Sequence, residues 1–411
     1  MKHRRSSAIR CACLTLLWLA CVTVYAGDWP QWRGPGRDGK AAFDAPETWP
    51  KELARTWTVN VGLADATPAL VGDRLYVFAR QGNEEVTLCL DAATGQERWT
   101  SEGYPAPEVT GGAREHPGPR SSPAVGEGKV VTLGVAGVLS CLDADSGKLI
   151  WRTNPFPQAV PQFFTSSSPL IADGLAIAQL GATDNGAILA FDLATGQEKW
   201  RWAEEGPEYA SPVLLTVGTR RQVVALTGKS VVGVSLADGA LLWKLPFASA
   251  RRAYNAATPI VDGTTVLYTG AGRGTFAVKI EPQGDAFTAR PLWDNPDVAP
   301  QFNTPVLKEG ALFGLSSGGN LFCLDARTGR TNWLDDDALD RRGFGALVDV
   351  GSCLVALPAG GELVVFAPDP EKYRELARFK VSETPTYAHP ILDGRRIFVK
   401  GGDTLTLWTI D

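Results

Sequence analysis

Six side chains stand out as a candidate ligand-binding set: Arg120, Tyr254, Asn255, Arg273, Asn303 and His389. Two guanidinium groups, two amides, a phenol and an imidazole suit recognition of a polar planar ligand, a sugar or an extended peptide. They do not add up to catalysis. With three histidines in 411 residues, a Ser-His-Asp hydrolase or a histidine metal centre is not expected. The sequence has no phosphate-binding glycine loop with its lysine. The run Asp335-Asp336-Asp337 lacks the spaced oxygens and turn glycine of a calcium loop, and reads as a solvated loop. No catalytic residue and no metal site are assigned.

What brings together residues spread along the chain is a repeat. An aspartate, a glycine four residues on and a tryptophan four further recur at Asp91/Gly95/Trp99, Asp143/Gly147/Trp151, Asp192/Gly196/Trp200 and Asp325/Gly329/Trp333. A fifth copy keeps Gly239 and Trp243 but has Ser235 for the aspartate. The other half of the unit is Ser/Thr-Pro and a short apolar stretch, starting at Thr67, Ser122, Ser168, Ser211, Thr258 and Thr304. Weaker starts fall near Gly345 and at His389-Pro390.

Eight such units, each as long as four strands with their turns, predict an all-β chain: an eight-bladed β-propeller of four-stranded antiparallel blades. A count of seven would require discarding the weak unit at 345–378. Trp57 lies in a strand without its own blade, and the unit from Pro390 stops one strand short. Pairing that N-terminal strand with the C-terminal blade closes the ring and leaves no open edge. The propeller then spans 55–411, after a Trp/Pro-rich segment at 27–54 that either packs across the ring or reaches outward.

In such a blade the A–B and C–D turns share one face, and the B–C turns and long D-to-A crossings share the other. Long loops on a rigid frame are where binding concentrates. Residues just before each inner strand, among them Arg120, Phe164, Tyr209, Tyr254, Asn255, Phe302, Asn303, Tyr387 and His389, should ring the funnel on the crossing face. Arg273 joins them from a B–C turn.

The first 26 residues read as an export signal: Lys2, Arg4, Arg5 and Arg10 precede an apolar stretch that ends at Val24-Tyr25-Ala26. Cys21 is a candidate lipid anchor, after a partial lipoprotein box. Removing this segment takes four of the 40 basic residues and none of the 45 acidic ones, moving the formal charge from −5 to −9. So acidic a chain is a poor partner for nucleic acid or an anionic membrane surface. No other apolar run approaches membrane-spanning length. Cys89, Cys141 and Cys323 each sit two residues before an aspartate, which reads as one small buried slot repeated in different blades.

The strand-turn-strand around Asp, Gly and Trp resembles the tryptophan-docking repeat of the quinoprotein alcohol dehydrogenase superfamily. Asp28-Trp-Pro-Gln-Trp-Arg-Gly-Pro-Gly-Arg-Asp-Gly39 and His116-Pro-Gly-Pro-Arg-Ser-Ser-Pro123 resemble segments of PQQ-like β-propeller repeat proteins. The resemblance implies that each tryptophan packs on the turn of an adjacent blade. It also includes lipoprotein propellers that assist outer-membrane barrel assembly. The family enzymes carry pyrroloquinoline quinone (PQQ) on calcium beside a vicinal disulfide, and no two cysteines are adjacent here. The expectation is therefore a non-catalytic, monomeric binding scaffold, exported to the periplasm or secreted, with no cofactor. Its partner would be an envelope protein or a small polar ligand. The alternative is a PQQ-dependent dehydrogenase with its cofactor in the funnel.

Overall fold

Short alternating apolar runs, punctuated by glycine turns, are built to form strands that bury one face against a neighbour. The computed structural model describes residues 27–249, 253–284 and 286–410. Within them lie eight antiparallel sheets of four strands, consecutive in sequence in all but one, and one of them is extended by the short Tyr104–Pro105. The helical content of these residues is one 3-10 turn, Gly111–Ala113. The export segment and Cys21 lie outside the described residues.

Blade 1 begins with the inner strand Ala69–Val71, and blades 2 to 7 begin at Ala124, Leu170, Val213, Ile260, Val306 and Gly345. Blade 8 takes three strands from the C-terminus, Ile391–Asp393, Arg396–Lys400 and Thr404–Thr409, and its outer strand, Ala54–Asn60, from the N-terminus. Trp57 pairs with Leu407 and Val59 with Leu405 across that seam. The unit at 345–378 is a full blade, so the count is eight.

The repeat motif is a docking joint. In blade 1, Asp91 Oδ1 accepts the amides of Ala93 and Thr94 at 3.0 and 2.9 Å, and Gly95 closes the turn at φ +72°. Trp57 of the preceding blade lies flat on that glycine: a Cβ there would stand 2.9 Å from its Cδ2. The indole donates to Ala93 O at 3.0 Å. Trp151 and Trp200 repeat the joint on Leu193 O and Leu236 O, both at 2.9 Å. Trp243 departs from it. Blade 5 has a long hairpin, Gly274–Gln283 and Ala286–Asn295, in place of the Asp-x-x-Thr-Gly turn, and Trp243 turns inward onto Gln222 Oε1 at 2.6 Å.

The cysteines fill equivalent slots: Cys89, Cys141 and Cys323 are 0% exposed in clusters between adjacent blades. Burial pushes their thiols up to about 11, about 12 and about 11, which leaves them protonated at neutral pH. The aspartate run is on strand Thr331–Ala338, the outer strand of blade 6, and not in a loop. Asn320 holds it there, its amide donating to Asp335 O and Asp336 O.

The Ser/Thr-Pro starts form a belt around the channel. The amide of Ser122 donates to Ser168 Oγ, Ser168 to Ser211 Oγ, and Thr258 to Thr304 Oγ1, each at 2.9 Å. Ser211 reaches Thr258 Oγ1 at 3.4 Å, and His389 reaches Thr67 Oγ1 at 2.8 Å. Inner strands have no neighbour on the channel side, so their first amides need side-chain acceptors. The hydroxyl of the next blade provides one.

The segment 27–53 packs across the ring. Trp29 exchanges both main-chain bonds with Leu70, the amide of Val125 donates to Pro30 O, and the amide of Ala41 to Asp349 O. Arg33 is 0% exposed and donates to Thr304 O at 2.7 Å, Pro305 O at 2.8 Å and Asp38 O at 3.0 Å. Arg37 donates to Pro169 O at 2.8 Å and Ser168 O at 3.1 Å. The segment therefore seals the channel from the A–B turn side, and its arginines serve carbonyls that the inner strands leave unpaired.

Candidate functional site

The crossing face opens into a cup of about 330 Å³. The blades contribute to it by a simple rule: the residue two before each belt position faces inward. This places Asp65, Arg120, Ser166, Tyr209, Ala256, Phe302 and Tyr387 on its lining. Phe163, Tyr254 and Phe344 complete an aromatic wall. Phe163, Tyr209 and Tyr254 meet with centroids 5.1–6.2 Å apart, while Phe302 stacks on Phe344 at 4.3 Å and 5°. Such offset and edge-on arrangements match the aromatic quadrupole and hold each ring in place.

Trp32, from the sealing segment, lies at the base. Its indole donates to Thr258 Oγ1 at 2.9 Å, and its ring meets His389 edge-on at 4.7 Å. The sealing segment thus supplies part of the site as well as closing the channel.

The polar side of the cup is a committed network. Asp65 Oδ2 lies 2.6 Å from His116 Nδ1, and the His116 ring is edge-on to Tyr387 at 4.8 Å. Arg120 donates to Phe163 O, and to His116 O at 2.5 Å. It clamps the long crossing of blade 2 onto that of blade 3. Burial lowers its pKa, a shift opposed by the nearby Asp65 charge. The Tyr209 hydroxyl accepts the amide of Phe163 at 3.1 Å, and burial pushes its own pKa up to about 12.

Of the six residues singled out from the sequence, Arg120, Tyr254, Asn303 and His389 line the cup, and Asn255 and Arg273 do not. Asn255 is 0% exposed and donates to Thr227 O and Phe247 O. Arg273 donates to Phe247 O, Ala248 O and Asn255 Oδ1, so the two brace one crossing from behind. The amide of Asn303 is also engaged with main chain, at Leu315 O and Gly343 O. Sequence reasoning passed over Trp32, Asp65, His116, Phe163 and Phe344. Asp65 carried a usable signal, since it stands two before Thr67 as Arg120 stands two before Ser122.

His389 is 3% exposed and neither ring nitrogen has a partner. Desolvation first, and the Arg33 charge second, hold its pKa well below the usual 6.5, so the folded ring is neutral. The unfolded chain takes up a proton below about pH 6.5 that the folded chain refuses. Stability is therefore full above that pH and falls below it by about 1.4 kcal/mol per pH unit. Between about pH 7 and about pH 5.5, wild type should lose about 1 kcal/mol more in urea unfolding than His389→Phe. Equal losses in the two proteins would mean that the folded ring does protonate.

Among the described residues no three His, Cys, Asp or Glu side chains are grouped to hold a metal ion, and none forms a helix long and apolar enough to cross a membrane.

A family model described as outer membrane protein assembly factor BamB matches residues 84–334. Outer membrane protein assembly factor BamB of Burkholderia pseudomallei is 25% identical over 412 residues, covering 96% of this chain and 95% of the relative. Quinohemoprotein alcohol dehydrogenase of Comamonas testosteroni is 30% identical over 161 residues, which cover 37% of this chain and 22% of that enzyme. The crystal structure of BamB from Moraxella catarrhalis superposes with a TM-score of 0.64 at 16% identity, covering 87% of this chain and 98% of that one.

Proposed function

The chain belongs to the family described as outer membrane protein assembly factor BamB, and from that premise we propose that it is a non-catalytic scaffold of the cell envelope. It is exported and engages a protein partner during outer-membrane protein assembly, with the crossing face as its binding surface. One observation carries this reading. Sequence similarity to an assembly factor runs over 96% of this chain and 95% of the relative, whereas sequence similarity to the dehydrogenase covers 22% of that enzyme.

The composition of the cup supports it. Calcium takes six to eight oxygens, several of them carboxylate or amide. Of the residues lining the cup, Asp65 is the one carboxylate, already paired with His116, and the amide of Asn303 is engaged with main chain. This donor set does not fit a quinone held on calcium, and no redox step is assigned to the chain.

Deleting the gene in its own bacterium is expected to lower the amount of folded, heat-modifiable barrel protein in the outer membrane, with recovery from a plasmid copy. Titrating the purified chain at about 0.1 mM with PQQ and calcium should give no saturable heat, at a concentration that reveals micromolar affinity. Unchanged barrel levels, or one-to-one PQQ binding, would overturn the proposal.

A further inference from the structure

The cup has an aromatic wall and, at its base, a polar side chain with nothing to bond. His389 is fixed: its amide is held by Thr67 Oγ1, and its ring packs edge-on to Trp32. Yet both ring nitrogens lack partners at 3% exposure. The indole of Trp32 is committed to Thr258, and Arg33, buried on the sealing segment, directs its terminal nitrogens to carbonyls. Buried polar atoms are seldom left unpaired, so this imidazole marks a place where another hydrogen-bonding group belongs.

That group is constrained. A neutral imidazole offers one donor and one acceptor nitrogen, and a hydroxyl can satisfy either. Its carrier must fit about 330 Å³ between ring faces. The charged groups on the lining are already engaged, Asp65 with His116 and Arg120 with main-chain carbonyls. A neutral aromatic ring with a hydroxyl at its tip meets each condition, and a volume of this size takes one side chain rather than a folded surface.

We propose that the cup receives the side chain of a tyrosine from an extended polypeptide, its ring against the aromatic wall and its hydroxyl on the imidazole of His389. The inference rests on the reading of the chain as a scaffold for a protein partner, and names the chemistry by which that partner is held.

The test is a calorimetric titration of the purified full chain with N-acetyl-L-tyrosinamide and, separately, N-acetyl-L-phenylalaninamide. The tyrosine probe should bind at one site about tenfold more tightly, because a site built around a hydroxyl discriminates against its absence. His389→Phe should erase that preference while keeping the phenylalanine probe's affinity. Equal affinities in wild type, or no binding of either probe at about 10 mM, overturn the proposal. Should His389→Phe fail to fold, wild-type crystals soaked in the tyrosine probe decide. A phenol oxygen within hydrogen-bond reach of His389 supports the proposal, and a lone water there overturns it. The scaffold reading is scored in cells by barrel assembly, so a failure in this titration leaves it standing, and the reverse also holds.

Discussion

Replacing Arg33 with alanine lowers the unfolding free energy by about 3–5 kcal/mol. Its guanidinium is wholly buried and serves three carbonyls, Thr304, Pro305 and Asp38, at 2.7–3.0 Å. These belong to inner-strand starts and a tight turn where no ladder partner exists. Alanine leaves all three without a donor and opens a void where the side chain ran between blade 6 and the sealing segment. Burial draws the guanidinium pKa down to about 10, so it remains cationic at neutral pH and its bonds are charge-assisted. Lysine recovers only part of the loss, because a point charge lacks the planar fork that meets two adjacent carbonyls. Urea unfolding measures the loss. Limited proteolysis should show cleavage appearing within 27–53 while the strand Ala54–Asn60 stays protected in blade 8. A change below about 0.5 kcal/mol, the scatter of an ordinary surface substitution, would mean that the segment is not what seals the channel.

The second large effect is expected at a docking joint. Trp200→Ala should cost about 3–5 kcal/mol, the range for removing a large aromatic side chain from a core. Trp200 is 7% exposed, its indole donates to Leu236 O at 2.9 Å, and its ring covers Gly239, where a Cβ would stand 2.6 Å from its Cε3. The change removes the area between blades 3 and 4 and leaves a carbonyl unpaired at once. Trp200→Phe separates the two contributions: it keeps most of the ring contact and loses the bond, for about 1–2 kcal/mol. If both variants unfold at the same urea concentration as wild type, the tryptophans are not what couples the blades.

Of the two effects, the docking joint was legible in the sequence. The joint recurs at a fixed spacing, each tryptophan reaching a turn 36 to 42 positions further on, about one repeat length, so a period in the chain reports a blade directly. Closure was legible for the same reason: one strand stood without a blade and one blade lacked a strand. Arg33 was not. Its two partners in the propeller lie more than 270 positions away, and a Trp/Pro-rich segment with no period of its own gives no sign of which way it packs.

The cup shows the same division. The sequence by itself determined that eight units form a closed ring and that the ends of the crossings gather at one mouth, because hydrophobic alternation and turn chemistry are local. Only the tertiary structure decided which side chains face inward. One residue of register moves a side chain from the lining to the scaffold, as between Tyr254, on the wall, and Asn255, buried behind it. A positive φ at Phe164 turns the backbone so that Phe163, its neighbour, reaches the cup. Orientation at a strand end depends on what the neighbouring blades leave unpaired, and that is fixed only when the ring has closed.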